Sequence, residues 1–324
     1  MLCNLCNTAY LKYMKQNFKK LTIVFIVIFI ILICAWVVSI KQAQFIKRGK
    51  QFGISGIAFL EKNSTSFSFL VVHDNKKENE GRLGILSIDN WNEIKYFLLK
   101  WPEYNDLPAD LEALTAVPGS NKSFFALASG GKVYHIKVDT FNMNISVINV
   151  FTLPNVSTKD NFEGIALQKI DGGLFVVWAS RGEDNEPGVI SWSLFDLKNY
   201  RFTDIKSFNF KSPWPLQPHV RHISDLKVDE RGNLFVSSAS DFGDDGPFQS
   251  AVYIIGSFNK YGGKINFQKN LPIKKILRIY KHKIEGLEIV EDGKYDMVSA
   301  SDDENMGSYI LYGLNPQKFI FVIE

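Results

Sequence analysis

The sequence contains no cysteine after residue 34. Its three cysteines, Cys3, Cys6 and Cys34, all lie within or before an apolar segment near the N-terminus. The rest of the chain therefore cannot form a disulfide, a thiolate nucleophile or a cysteine metal site. Named catalytic motifs are also missing, since there is no H-E-x-x-H, no P-loop and no G-x-G-x-x-G. Any chemistry would have to be metal-assisted or acid–base.

The sequence also lacks a strong net charge. The chain has 37 basic and 34 acidic residues, which gives a formal net charge of +3. This value is too near neutral to predict a nucleic-acid partner, and much of the basic excess lies before residue 51. With 46% hydrophobic and 22% charged residues, the composition is that of a globular protein.

The strongest single signal is an uncharged apolar run, Leu21–Ile40. At about 1.5 Å per residue, a helix of this length crosses a hydrocarbon core of about 30 Å. We therefore expect a short basic segment (1–20), a transmembrane signal anchor (21–40), a linker (41–52) and a folded domain (53–324). Lysines flank both ends of the run, so the positive-inside rule does not orient it. A short N-terminus before a large domain favours a single-pass protein of the inner (plasma) membrane with its domain outside the cytoplasm.

The folded domain contains an internal repeat. Five segments share a similar head: ISGIAFL (from 54), LEALTAV (111), FEGIALQ (162), ISDLKVD (223) and IEGLEIV (284). The second positions of these heads are Ser55, Glu112, Glu163, Ser224 and Glu285. Because strand side chains alternate with a period of two, each head residue shares a face with apolar residues that follow it. An acidic group is thus expected where a buried face meets its rim.

Each head is followed by segments for three more strands. In the last unit the predicted fourth strand of the blade is KFIFVIE, residues 318–324. Four short strands per repeated unit are typical of a β-propeller blade. The heads are spaced by 57, 51, 61 and 61 residues, which leaves no room for another whole blade. The sequence predicts an all-β propeller of five four-stranded blades, with six as the alternative if residues 259–283 contribute more.

The heads and the loops after the second strands are expected on one rim, because those two strands are antiparallel. Four of the five loops are acidic. We expect a small-molecule or protein ligand to bind at this rim. The rim candidates are His73, Asp74, Arg181, Arg221, His222, Asp241, His282 and Asp302.

Three head glutamates would face one channel mouth, and Asp225 would join them one position displaced. The predicted metal ligands are Glu112, Glu163, Glu285 and Asp225. Carboxylates 4 Å apart repel by about 4 kcal/mol at an effective dielectric constant of 20. A bound cation, an arginine or protonation must compensate, and Ca²⁺ suits hard oxygen ligands. In the alternative interpretation, the glutamates bond backbone amides, or Arg181 and Arg221 neutralise them.

The motifs at the heads resemble those of a known group of proteins. Heads such as FEGIA and IEGLE, followed by strands that end in AS, resemble the bacterial propellers of the SdiA-regulated and "esterase-like activity of phytase" groups. The resemblance covers about residues 53–312. It implies a propeller whose head glutamates face the central channel, and calcium in some members. It applies directly to Glu163 and Glu285, and to Glu112 with Ala113 in place of glycine, whereas Ser55 and Ser224 depart from it.

Two functions fit these observations. The first is a membrane-anchored binding or scaffold module outside the cytoplasm, with an acidic, calcium-binding channel mouth. The second is a metal-dependent hydrolase of phosphoesters, esters or lactones on the same anchor. The missing nucleophile and the two serines among the heads favour the first.

The predicted anchor can be tested with C-terminal reporter fusions. If 21–40 is an uncleaved signal anchor, a C-terminal alkaline phosphatase should be active and a fluorescent protein that matures only in the cytoplasm should be dark. The reverse pattern would contradict the predicted topology.

Overall fold

The computed structural model describes Thr22 and residues 43–89, 93–216, 218–290, 297–314 and 321–323. Apart from Thr22, the predicted membrane span lies outside these residues. Among the described residues, we find no helix with the length and apolar character needed to cross a membrane. Gln42–Glu324 forms one compact unit.

The compact unit is built almost entirely of strands, as predicted. In chain order they are β1 (Gln44–Lys47), β2 (Gly56–Lys62), β3 (Ser66–Val72), β4 (Leu83–Asp89), β5 (Glu93–Leu99), β6 (Leu111–Ala116), β7 (Ser123–Ala128), β8 (Lys132–Asp139), β9 (Asn144–Thr152), β10 (Phe162–Ile170), β11 (Gly173–Ser180), β12 (Gly188–Asp196), β13 (Arg201–Phe210), β14 (Val220–Val228), β15 (Asn233–Ser240), β16 (Gln249–Tyr261), β17 (Lys264–Tyr280), β18 (Ile284–Glu288), β19 (Met297–Ser301), β20 (Ser308–Leu314) and β21 (Phe321–Ile323). Two short 3₁₀ helices cover Lys50–Phe52 and Glu304–Met306.

These strands form the five blades of a propeller. The sheets have the orders β2-β3-β4-β5, β6-β7-β8-β9, β10-β11-β12-β13, β14-β15-β16-β17-β21 and β18-β19-β20-β1. We number the blades one to five in that order. Most of the stretch 259–283 lies in the β16–β17 hairpin of blade four, which ends at Tyr280, so it adds no sixth blade.

The innermost strands β2, β6, β10, β14 and β18 close a ring around a central channel. Each contacts the next, and β18 contacts β2. The glycine that follows a head residue allows this close approach. A Cβ on Gly164 would lie 2.8 Å from the Leu226 side chain, and a Cβ on Gly56 would lie 2.9 Å from the Cα of Ala113.

The hydrophobic core is divided among the interfaces between blades. Five clusters of buried apolar side chains lie one at each junction between neighbouring blades. In the cluster between blades three and four, for example, Phe175 and Trp192 pack with Tyr253 and Phe258. A blade therefore buries both of its faces only when its two neighbours are present.

The fourth strand of blade five differs from the prediction. It is β1, which pairs antiparallel with β20 through Gln44↔Ile310 and Lys47↔Ser308. The segment predicted for that place instead contributes β21, which pairs in parallel with β17 at the edge of blade four. Residues 44–47, within the predicted linker, thus close the ring by joining the start of the domain to its last blade.

The closing strand can be tested by truncation. A chain lacking residues 1–48 loses only β1 from the described blades, compared with a chain lacking 1–41. Without β1, the edge of β20 loses its partner. We expect the free energy of unfolding to fall by about 2 kcal/mol, which lowers the melting temperature by roughly 5 °C or more. Equal melting temperatures by circular dichroism would show that β1 does not stabilise the ring.

Candidate binding site at the channel mouth

The head residues lie at one end of the channel, which we call the mouth. Ladder pairs such as Leu111↔Ala128 and Phe162↔Ser180 place the loops after the second strands beside the heads, as predicted. The register between first and second strands shifts at Glu112, Glu163 and Glu285. Such a bulge re-aims the side chain of the extra residue. All three glutamates are buried.

Two arginines neutralise part of the mouth. Arg221 bridges Glu285 (2.8 Å) and Asp241 (2.5 Å). Arg181 lies 3.5 Å from Glu163 and 3.4 Å from Glu183, so its contacts are longer. These pairs agree with the alternative in which arginines compensate the head glutamates.

Lys283 is the deepest cation of the mouth, with 1% of its side chain exposed. Its ammonium lies 2.5 Å from Glu304, 3.3 Å from Asp302 and 3.4 Å from Glu285. Burial alone would lower the pKa of Lys283, but the carboxylates of Glu285 and Asp302 hold it well above its usual range. The charged ammonium of Lys283 therefore supplies, between blades four and five, the positive charge that a bound metal ion would otherwise supply.

The opposite part of the mouth is acidic. One carboxylate oxygen from each of Asp74, Asp110 and Glu112 lies within 4.8 Å of the others. Lys76 contacts Asp110 at 2.9 Å, but its side chain is 66% exposed. Burial raises the pKa of Glu112 well above its ordinary value, and the carboxylates of Glu163 and Glu285 raise it further. Among the described residues, this part of the mouth therefore has an exposed basic partner in Lys76 but no buried one.

Local structure fixes the acidic loop between β3 and β4. Asn75 donates to the carbonyls of Gln51 (2.9 Å) and Gly81 (2.7 Å). Arg82 is buried, and its guanidinium donates to the carbonyls of Glu80, Lys77 and Pro108. Ser129 donates to Asp110 at 2.5 Å. These hydrogen bonds restrict the movement of the loops that carry Asp74 and Asp110, and so keep the two carboxylates close together.

Three of the five head residues have buried polar atoms without a partner in the described structure. They are Ser55 Oγ, Glu163 Oε2 and Ser224 Oγ, on residues that are 0–1% exposed. Buried polar atoms are nearly always hydrogen-bonded to protein or to ordered water. Water, an ion or a ligand group could therefore form hydrogen bonds with these atoms at the heads.

The structure places Asp225 apart from the glutamates. Its side chain is fully buried and accepts hydrogen bonds from the amides of Leu226 (2.7 Å) and Leu287 (2.8 Å). Lys227 lies 3.6 Å from it and donates to the carbonyl of Leu114. Burial raises the pKa of Asp225 to about 7. This residue bridges blades four and five, which is the amide-bonding role considered for the glutamates.

The candidate histidines have structural partners. His73 is fully buried, with Nδ1 2.5 Å from the carbonyl of Gly53 and Nε2 2.7 Å from the Tyr96 hydroxyl. His222 lies 2.8 Å from the carbonyl of Asp184. His282 lies 2.6 Å from Asp303. Among the described residues, the mouth is thus built mainly of carboxylates and their cations.

Sequence reasoning missed Asp110, Lys283 and Glu304. The first two stand two residues before the head position, in a column that reads Gly53, Asp110, Asn161, His222 and Lys283. The same period of two that identified the heads could have found this column. Its glycine is also explained, because a Cβ on Gly53 would lie 1.9 Å from Asp302 Oδ1.

Comparisons with known proteins add little to this geometry. No protein-family model matches the chain, and no curated protein matches it. A thermostable family-43 glycoside hydrolase is 11% identical, covers 80% of this chain and 88% of its own, and gives a TM-score of 0.42. An α-L-arabinofuranosidase from Lactobacillus brevis is 10% identical, covers 84% and 91%, and gives 0.46. The propeller assignment therefore rests on the five sheets of this chain.

The buried imidazole of His73 should make stability depend on pH. Burial lowers its pKa to about 4, whereas an unfolded histidine titrates near 6.5. Below pH 6.5 the unfolded state binds a proton that the folded state excludes, so this term costs up to about 3 kcal/mol of unfolding free energy by pH 4.

A His73→Gln variant retains a donor and an acceptor but does not titrate. Its stability deficit relative to the wild type should be largest at pH 7 and should shrink as the pH falls towards 4. Chemical denaturation at several pH values measures this difference. A deficit that stays constant with pH would show that His73 titrates normally.

Proposed function

We propose that this protein is a non-enzymatic binding module whose ligand site is the acidic channel mouth. In this proposal Asp74, Asp110 and Glu112 bind Ca²⁺, and the apolar run 21–40 anchors the module in the plasma membrane, with the propeller outside the cytoplasm. The observation that carries the proposal is the convergence of three carboxylates within 4.8 Å without a buried basic partner. The resemblance of the heads to SdiA-regulated and phytase-like propellers supports the same site.

The donor set fits a hard divalent cation. Ca²⁺ takes six to eight oxygen ligands at about 2.3–2.6 Å and accepts irregular geometry. Three carboxylates supply part of this number. Glu163, whose Oε2 has no partner among the described residues, is close enough for its charge to raise the pKa of Glu112, and it is a further candidate ligand. A divalent charge would also relieve the repulsion that raises the pKa of Glu112. Metal-bound oxygens of a ligand could complete the coordination.

The proposed Ca²⁺ ligands differ from the metal ligands predicted from the sequence. Glu285 has Arg221 and Lys283 as partners, and Asp225 bonds two amides. Glu112 remains and is joined by Asp74 and Asp110 from the neighbouring loops, and Glu163 stays a further candidate ligand. The cation is thus proposed for the part of the mouth formed by blades one to three.

Hydrolysis is the second candidate function. The observation that favours it is a pair of buried glutamates in different environments. Glu112 has no basic partner in the described mouth, whereas Glu285 contacts Arg221 and Lys283. Carboxyl groups with different environments can serve as acid and base. No described hydroxyl or imidazole forms a hydrogen bond with either glutamate, so binding remains the simpler function.

Calcium should stabilise the wild-type protein. Binding to the folded state alone adds about 2.7 kcal/mol at a hundredfold excess over Kd, which raises the melting temperature by roughly 5 °C or more. The double change Asp74→Asn and Asp110→Asn removes two ligand charges and should abolish this increase. It should also raise stability in chelator, because it removes like-charge repulsion.

Asp204→Asn is the matched control, since Asp204 is an exposed aspartate on β13. This variant should respond to calcium like the wild type. The same preparations, assayed with aryl phosphate and aryl acetate esters, test hydrolysis. A wild-type melt that neither calcium nor chelator shifts would contradict the cation site, and calcium-dependent turnover lost in the double variant would favour the hydrolase.

A further inference from the structure

The β16–β17 hairpin of blade four has an unusual charge. Its residues 249–280 include six lysines and arginines and no aspartate or glutamate. The basic residues are Lys260, Lys264, Lys269, Lys274, Lys275 and Arg278. The hairpin is also long, with strands of 13 and 17 residues, whereas no other described strand exceeds ten. It therefore forms a basic projection on a chain whose net charge is near zero.

The projection reaches the face opposite the mouth. Its tip is the pair Tyr261↔Lys264. Lys260 beside the tip donates to the carbonyl of Asp171, in the turn between β10 and β11, at 3.2 Å. That turn lies at the far end of β10 from its head. Phe258 and Phe267 hold the hairpin on blade three by packing against Trp192.

Lysines and large apolar side chains are exposed together on this hairpin. Tyr261 and Leu271 are each 83% exposed. Lys264 and Lys269 are exposed, and neither forms an ion pair with a described residue. Among the described residues, β21 pairs with the outer edge of β17 at residues 277–279. Basic residues interspersed with exposed aromatic and aliphatic side chains are typical of elements that lie on anionic membrane surfaces.

The first described residues of the propeller unit approach β1 from the same side. β1 runs towards the mouth, since Lys47 pairs with Ser308 beside the mouth loop while Gln44 pairs with Ile310 further away. The chain thus enters β1 from the side opposite the mouth. Ala43, just before β1, packs on the cluster between blades four and five. This entry point lies on blade five, which is adjacent to the blade of the hairpin.

We propose that the β16–β17 hairpin docks on the headgroups of an anionic phospholipid bilayer, which would hold the mouth facing away from the membrane. The lysines would contact lipid phosphates, and Tyr261 and Leu271 would enter the interface. The bilayer is favoured over other polyanions because the exposed apolar side chains and the chain entry point lie with the lysines. The neighbouring turns contribute the acidic residues Asp171 and Glu230 to this face. The positive charge of the face therefore comes from the hairpin and not from these turns.

Edge lysines also have a protective role, because charges on an exposed strand edge prevent pairing with other chains. Charge reversal separates the two roles. Glutamates at positions 264 and 269 would still guard the edge but would repel an anionic surface.

The test uses residues 42–324, which contain every described strand, and vesicles of phosphatidylcholine with or without phosphatidylglycerol. The protein should sediment with the anionic vesicles and not with the neutral ones, and salt should weaken binding. Lys264→Glu with Lys269→Glu should weaken binding by about 25-fold or more, since each lysine contributes about fivefold near an anionic surface. Tyr261→Ser with Leu271→Ser should also weaken it.

Lys132→Glu with Lys159→Glu is the matched control. Both lysines are exposed, and they lie at the mouth end of blades two and three. This variant has the same net charge as the first and should bind as the wild type does. Equal loss in both pairs, equal binding to neutral vesicles, or no binding would overturn the proposal. Preference for a DNA duplex over anionic vesicles in competition would assign the hairpin to nucleic acid instead. Calcium binding at the mouth is measured separately, so either proposal can fail alone.

Discussion

The structure depends on how the innermost strands satisfy their free edges. Each of these strands has a partner on one side only, so its other edge faces the channel, where an unpaired amide costs about 1–3 kcal/mol. Side chains from the neighbouring blades bond these edges. The bonds run from the Leu167 amide to Thr115, from Gln168 to the Val228 carbonyl, from the Leu287 amide to Asp225 and from the Phe59 amide to Glu288. Four of the five junctions thus have a polar connection at the axis, beside an apolar cluster further out.

This constraint explains why buried charge is tolerated along the channel. Asp225 and Glu288 accept hydrogen bonds from backbone amides of the innermost strands. These bonds compensate the burial of the two carboxylates and also satisfy amides that would otherwise lack a partner. At the mouth the edges end, and the glutamates lie on bulges without such amide partners in the described structure. Their compensation comes from Arg181, Arg221 and Lys283 on one side and from no buried base on the other. The two sides of the mouth therefore differ in charge compensation, because Arg181, Arg221 and Lys283 all lie on the same side.

Much of this architecture could be predicted from local pattern. The five heads, the acidic loops and the arginines beside Glu163 and Glu285 follow from the period of two and from antiparallel pairing. The closing strand could not be predicted in the same way, since both 44–47 and 318–324 are apolar stretches between polar ends. The choice between them depends on non-local packing. Asp225 was misplaced for a local reason. It stands one position beyond its head, and in a strand one position changes the face of the sheet.

The distribution of charge also limits what net charge can reveal. A value of +3 describes a sum and not a surface. Along the chain, acidic residues concentrate in the loops of the mouth, whereas the longest hairpin has only basic ones. Screening acts over about 8 Å at physiological ionic strength, so a patch on one face is felt by a partner independently of charges at the other face. A nearly neutral propeller can therefore offer an acidic site for cations at one end and a basic surface for anions at the other, because the blade topology separates the loops that carry them.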